Sequence, residues 1–347
     1  MPESTPIKRV TLRDVGAVAG VSVSTVSLVL NNSPSIPIAT KERVRRAINE
    51  IGYVYNRGAA SLRSQRSMTI GLIATEVGNP FFAELTMSLE DVVADHGFTL
   101  LVGYSRDSLE RQTAILDTFL ERSVDGLVLL PARGTDTAAV TGRLRQFGVA
   151  FVLSSRSSEG GGNYVGVDNT RAGMLIGRHL RDRGIASAVF VGGERDVPSV
   201  DDRVRGAIEA FGDAVSFRFL PSEISPAGGA AAVARMLDLG HLPDAVIAFN
   251  DTVATGVYAE MISRGLKPGE DIAVAGFDDI PISAHLVPPL TSVATFPDRT
   301  GADCAEVLLH AIGRSSSDEP IRRLIRPEIR LRSSTMSWSG KAARSSS

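Results

Sequence analysis

The chain has very little cysteine: Cys304 is the only one in 347 residues. That excludes an intramolecular disulfide framework and any multi-cysteine metal centre. A lone thiol within DCAEVLLH reads as a small buried apolar residue rather than a nucleophile. No apolar run approaches the ~20 residues of a membrane span. The opening MPESTPIKRV lacks the apolar core of a secretory signal, so the chain is expected in the cytoplasm, off the membrane. The five histidines (His96, His179, His241, His285, His310) are scattered, without metal-ligand spacing or a nucleophile partner. No G-x-G-x-x-G follows a first strand, and GGER at 192–195 is a poor substitute; no P-loop and no G-x-S-x-G elbow occurs. The expectation is a protein that is not an enzyme and uses no cofactor and no metal.

What is present is a patterned head. Thr11 can cap a helix carrying Leu12, Val15, Val18 and Ala19 at helical spacing, and Gly20 suits a tight turn. Ser22 can cap a second helix with Val26, Val29 and Leu30 inward and Val23, Ser24, Thr25 and Leu28 outward. A third helix places Val44, Ala47, Ile48 and Ile51 on one face and Lys41, Arg43, Arg45 and Arg46 on the other. This describes a helix-turn-helix whose second helix enters a major groove. On spacing alone it describes equally well a small three-helix bundle with no nucleic-acid role. Charge separates the two: residues 1–66 net +6, whereas the whole chain nets −2 and the remaining 281 residues −8. A basic head on an acidic body is expected where only the head meets phosphates.

From Met68 onward, apolar β-type runs alternate with helical segments. TIGLIA (69–74), FTLLVG (98–103), GLVLL (126–130) and AFVLS (150–154) are separated by helical patterns. After a Gly-rich connection at 157–163 the rhythm restarts with YVGVD (164–168), SAVFVGG (187–193), SFRFL (216–220), DAVIAFN (244–250) and DIAVAGF (271–277). Such alternation predicts parallel βαβ units in two doubly wound lobes, with near-continuous apolar strands covered on both faces. Ligands of open α/β sheets bind beyond the C-terminal strand ends. That makes Glu76, Asn79, Asp168, Asn250, Asp251 and Asp278 candidates for a cleft site, although each could equally be a helix cap or turn former. Arg195 is a further candidate contact.

The runs TLRDVGAVAGVSVSTVSLVLN, NRGAASLRS and MTIGLIATEVGNPFFAEL resemble the lac repressor (LacI/GalR) family of bacterial transcription regulators, and the likeness extends to about RPEIRLRSS. The resemblance implies a helix-turn-helix head over 1–55 and a hinge helix and linker over 56–66. It also implies a two-lobed, periplasmic-binding-protein-like α/β core over 67–335. Within that core the first lobe would take about 67–168 and 296–318, and the second about 169–295 and 319–335. Crossovers are then expected near Asp168, Thr295 and Pro320, with a disordered Ser-rich tail over 336–347.

The resemblance further implies a repressor that binds a pseudo-palindromic operator in double-stranded DNA as a homodimer, controlled by a small effector in the cleft. Val23, Ser24 and Leu28 occupy base-reading positions. Leu28 stands where most members carry Arg, and leucine can only contact a thymine methyl or exclude water. Thr11, Ser22, Thr25, Asn31, Tyr53 and Asn56 are expected to anchor phosphates. Leu62 matches the leucine that wedges into a minor-groove step; the residues alone favour instead a short helical linker with Leu62 buried on the body, and the flanking matches reverse that. In the cleft, Phe81 and Phe82 match pocket walls, Arg203 the ligand-binding arginine, and Asp168 and Asp251 carboxylates of the site. Ile224 falls where purine-responsive members stack an aromatic ring, which favours a sugar or sugar derivative over a purine or nucleoside. A solute-binding protein sharing the two-lobed body is the remaining alternative.

Overall fold

Three helices of the head follow from their caps. Thr11 opens α1 (Leu12–Ala19) with a reciprocal cap: its hydroxyl accepts from the Asp14 N–H at 3.4 Å, and the Asp14 carboxylate accepts from the Thr11 N–H at 2.8 Å. Gly20, at φ 62°, ends the helix, and the chain turns so tightly that a Cβ on Gly16 would lie 2.8 Å from the Val21 carbonyl. Ser22 then accepts from the Thr25 N–H at 3.1 Å to start α2 (Val23–Leu30), and α3 (Ile38–Ile51) closes the bundle. Val15, Ala19, Val26, Val29, Val44 and Ala47 form its core. Two expectations change here. Val18 is exposed, and the Tyr53 ring packs into this core, so it is a structural residue before it is a phosphate anchor.

The computed structural model describes residues 10–30, 33–54, 66–156, 161–313 and 319–338. Asn31, Asn56 and Leu62, and with them most of the expected hinge, lie outside these residues. The chain divides into two units, Met1–Gln65 and Arg66–Ser347. Among the described residues no single helix is long and apolar enough to cross a membrane.

The second unit contains two six-stranded sheets. Its elements run β1 (Thr69–Ala74), α4 (Pro80–Asp95), β2 (Thr99–Tyr104), α5 (Leu109–Glu121), β3 (Gly126–Leu129), α6 (Thr137–Gln146), β4 (Ala150–Ser154) and β5 (Asn163–Val167). There follow α7 (Asn169–Asp182), β6 (Ser187–Val191), α8 (Pro198–Phe211), β7 (Ser216–Leu220), α9 (Pro226–Asp238), β8 (Ala245–Ala248), α10 (Asp251–Ser263), β9 (Ala273–Asp278) and β10 (Thr291–Ala294). The chain ends with α11 (Pro297–Ala311), β11 (Arg322–Ile325), β12 (Glu328–Arg330) and α12 (Ser333–Met336). The first sheet is ordered β11-β5-β4-β3-β1-β2 and is parallel throughout. The second is ordered β12-β10-β9-β8-β6-β7, and only β12 is antiparallel. Each sheet is buried on both faces, as the apolar strands predicted. In β1, Ile70, Leu72 and Ala74 meet α4 and α11, while Ile73 packs with residues of α5 and α6.

Chain crossovers occur after β5 and after β10, near Asp168 and Thr295 as expected. The third lies between Ile325 and Glu328 and not near Pro320. Residues 322–325 pair in parallel with β5, extended by Ile321 and Ile325 carbonyls that accept from the Tyr164 and Asp168 N–H groups, so the stretch 319–325 belongs to the first lobe. The tail also differs from expectation as far as residue 338. Ser334 donates to the Val274 carbonyl at 2.6 Å and Arg183 donates to the Met336 and Trp338 carbonyls. Trp338 itself sits in the second-lobe core. Cys304 is fully buried under the first sheet, and burial pushes its thiol up to about 12.

Candidate functional site: the interlobe cleft and the head surface

Arg203 organises the cleft. It projects from α8, and α8 packs against α7 so closely that glycine is required on both helices. A Cβ on Gly173 would lie 2.0 Å from the Arg203 carbonyl, and one on Gly206 would lie 1.9 Å from the Thr170 carbonyl. The Arg203 side chain is buried between two rings, 4.7 Å from the Phe249 centroid and 4.5 Å from that of Phe277. Its Nε donates to Asn169 Oδ1 at 2.9 Å, one Nη to the Phe249 carbonyl at 2.5 Å, and the other to Asp278 at 3.5 Å. Burial draws the guanidinium below its ordinary value, and the Asp278 and Asp251 carboxylates oppose that shift.

Asp278 ends β9 at φ 96°, a backbone conformation that aspartate adopts at a cost. Its carboxylate collects Arg203 and Thr295 from one side and, from the other lobe, the Asn79 amide at 3.1 Å. Asn79 does two things at once, because its Oδ1 accepts from the Phe81 N–H at 3.0 Å and so caps α4. Nearer the surface, Arg133 of the first lobe pairs with Asp196 of the second at 2.6 Å. Asn79 to Asp278 and Arg133 to Asp196 therefore both tie the two lobes across the cleft.

A cavity of about 100 Å³ lies between the lobes. The structure brings Glu76, Asn79, Phe81, Phe82, Arg203, Ile224, Asn250 and Asp278 to its wall. Phe81 and Phe82 stand edge to face with centroids 5.2 Å apart, and Phe81 also belongs to the first-lobe core. Burial raises the Glu76 carboxyl above its usual range, and the Asp278 and Asp107 carboxylates raise it further. Asn250 caps α10 by accepting from the Val253 N–H at 2.9 Å, and it lines the cavity as well.

Three expected residues are not brought to the wall. Asp168 caps α7, accepting from the Arg171 N–H at 2.9 Å; its neighbour Asn169 takes the place beside Arg203. Asp251 points back under β9, where it accepts from the hydroxyls of Ser283 at 2.6 Å and Ser292 at 2.7 Å and from the Ile280 N–H at 3.1 Å. Burial pushes its carboxyl up to about 8. Arg195 is exposed and bonds Asp201 at 2.8 Å. Conversely, Asn169, Phe249 and Arg156 line the cavity without having been singled out. Asn169 and Phe249 are each adjacent to a residue that had been. Arg156 follows a strand just as the carboxylates do, and it is held by Asp107 at 2.6 Å.

On the head, Ser24 and Leu28 are exposed with Val23 at the start of α2, and Lys41 is partly exposed at the start of α3, ahead of exposed Arg43, Arg45 and Arg46. Ser22, Ser24 and Thr25 share hydroxyl hydrogen bonds of 2.7 and 2.9 Å at the α2 N-terminus. Among the described residues no group of three or more His, Cys, Asp or Glu could hold a metal ion.

Comparison with known proteins places this architecture. Residues 11–56 match the family described as bacterial regulatory proteins, lacI family, and residues 178–335 match a periplasmic binding protein-like domain. The chain is 30% identical over 333 residues to the HTH-type transcriptional repressor PurR of Aliivibrio fischeri (strain MJ11), covering 94% of this chain and 98% of that protein. It is 30% identical over 341 residues to the HTH-type transcriptional regulator CelR of Thermobifida fusca, with 94% and 98% covered. A solved transcriptional regulator CelR–cellobiose complex superposes with a TM-score of 0.69 at 29% identity, covering 94% of this chain and all of that one. The chain therefore belongs to the lacI family of bacterial regulatory proteins, and it is a DNA-binding transcriptional regulator.

Proposed function

We propose that the chain is a cytoplasmic repressor that binds a pseudo-palindromic operator as a homodimer and answers to an uncharged, sugar-like effector in the interlobe cleft. The single observation that carries the effector class is the composition of the cavity wall around Arg203. Glu76 and Asp278 supply acceptors, Asn79, Asn250 and Arg203 supply donors, and Phe82 and Ile224 supply apolar surface. Hydroxyl groups can both donate to the carboxylates and accept from the guanidinium, while a sugar's C–H face lies on an aromatic ring. A phosphate would face two carboxylates, with the charge of Arg203 already balanced by Asp278 and that of Arg156 by Asp107. The cellobiose bound by the CelR relative is in keeping with this class.

A purine or nucleoside effector is the second reading, favoured by the Phe81 and Phe82 rings at the wall, whose faces suit a planar base. The aliphatic Ile224 at the wall weighs against it. Thermal unfolding of the full chain against cellobiose, ribose, glucose 6-phosphate, guanine and adenosine separates the two, since a ligand that binds only the folded state raises the midpoint by mass action. The expected result is a shift with a neutral sugar that Arg203→Met abolishes. A shift with guanine alone would overturn the sugar reading.

A further inference from the structure

The recognition surface of the head is apolar, and this has a consequence for the DNA it selects. Along α2 the side chains of Val26 and Val29 are buried in the head core, which turns Val23, Ser24 and Leu28 outward. Val23 and Leu28 are each 43% exposed. From Val23 to Leu30 the helix carries no Arg, Lys, Asn, Gln or His, and so none of the side chains that bond guanine or adenine edges in bidentate fashion. The hydroxyls of Ser24 and Thr25 are both engaged by Ser22 at the N-terminus, and Ser27 is half-buried. Among the described residues the cations stand elsewhere on the head, Arg13 on α1 and Lys41, Arg43, Arg45 and Arg46 on α3. Charge therefore attracts and orients a polyanion, while the element expected to meet the bases offers two branched aliphatic groups.

Resting on the DNA-binding reading above, we infer that this head reads thymine methyl groups: the operator half-site presents A·T pairs whose C5 methyls pack against Val23 and Leu28. In the major groove the thymine methyl is the one base-edge feature that an aliphatic side chain recognises favourably. Opposite Leu28, guanine would lose water from its N7 and O6 acceptors and gain no donor in return, so it is selected against. The neighbouring positive charge makes the groove of DNA, rather than an apolar protein partner, the surface that covers these two side chains.

The test uses the full chain to enrich duplexes from a random library, followed by anisotropy titrations of the selected site. Deoxyuridine in place of thymidine removes only the methyl. Replacing the thymine opposite Leu28 is expected to weaken binding about fourfold per methyl. Leu28→Ala is expected to bind the thymidine and deoxyuridine duplexes alike, with Val23→Ala removing the sensitivity at a second position. Leu28→Arg is expected to shift the selected base toward guanine. A selected site whose every thymine tolerates deoxyuridine, or whose half-site holds G·C pairs where the Leu28 variants change selection, overturns the inference and leaves DNA binding standing. Failure to enrich any sequence overturns the DNA reading itself, and this inference with it.

Discussion

Replacing Arg203 by methionine keeps an unbranched chain between the Phe249 and Phe277 rings and removes the guanidinium. The structure says what is then left unpaired. The Phe249 carbonyl loses its donor at 2.5 Å, Asn169 Oδ1 loses one at 2.9 Å, and Asp278 keeps only Asn79 and Thr295. Breaking one side of a buried ion pair costs about 3–5 kcal/mol, because the remaining charge stays buried. Arg203 and Asp278 are both buried, but their contact is a long 3.5 Å and the carboxylate retains two donors, so the low end, about 3 kcal/mol, is expected. The chain's one tryptophan makes this measurable. Trp338 shares the core cluster of Phe249 and Phe277, so its fluorescence in urea follows the lobe that holds Arg203. Adding Asp278→Asn to Arg203→Met should recover part of the loss, since the orphaned charge goes with it. A loss below about 1 kcal/mol, or a double variant no better than the single, would refute the view that Asp278 is held by Arg203.

Gly206→Ala should force α8 off α7, costing about 1–3 kcal/mol and weakening effector binding through Arg203. Gly142→Ala, on the open side of α6 with nothing within 4 Å, should stabilise by about 1 kcal/mol in the same urea assay. Because burial raises the folded Asp251 carboxyl to about 8, its contribution to stability is complete below the unfolded carboxylate range and is lost as pH rises toward that value. Urea midpoints measured between pH 5 and 8.5 should therefore slope less for Asp251→Asn than for the parent chain. Asp196→Asn removes the exposed cross-cleft pair with Arg133 and should speed effector release with little change in stability. High salt should make the parent chain behave like this variant in stopped-flow release.

The strand–helix rhythm made both lobes legible because buried parallel strands are apolar on both faces, and the head was legible because Thr11, Gly20 and Ser22 punctuate it. β11 and β12 were not legible. RRLI and EIR are arginine-rich, half-exposed edge strands without an apolar run, and their place is set by pairing with β5 and β10. That hidden pairing is what displaced the third crossover. Trp338 was lost for a related reason, since a serine-rich composition masks one large ring that finds a core. In the cleft, position after a strand located Glu76, Asn79, Asn250 and Asp278 but could not say which way a side chain turns. Asp251 follows a strand as Asn250 does, yet the hydroxyls of Ser283 and Ser292, distant in sequence, draw it under the sheet.

How such a cleft could control the head is bounded by energy. A ligand shifts two states only by its differential affinity for them, and moving a population from 1:99 to 99:1 takes about 5.5 kcal/mol. The lobes are already joined by Asn79 to Asp278 and Arg133 to Asp196. A hydroxyl that donates to Asp278 while accepting from Asn79 exchanges one hydrogen bond for two, a net gain of about 1 kcal/mol by itself. Several such exchanges must act together, and the wall offers them on both sides: Glu76, Asn79 and Arg156 from the first lobe, Arg203, Asn250 and Asp278 from the second. An effector that engages only the second lobe would bind without changing the relation between the lobes. The response should therefore follow the first-lobe contacts. Glu76→Gln is expected to reduce the effector's release or tightening of operator binding more than its affinity for the cleft, whereas Arg203→Met should abolish both.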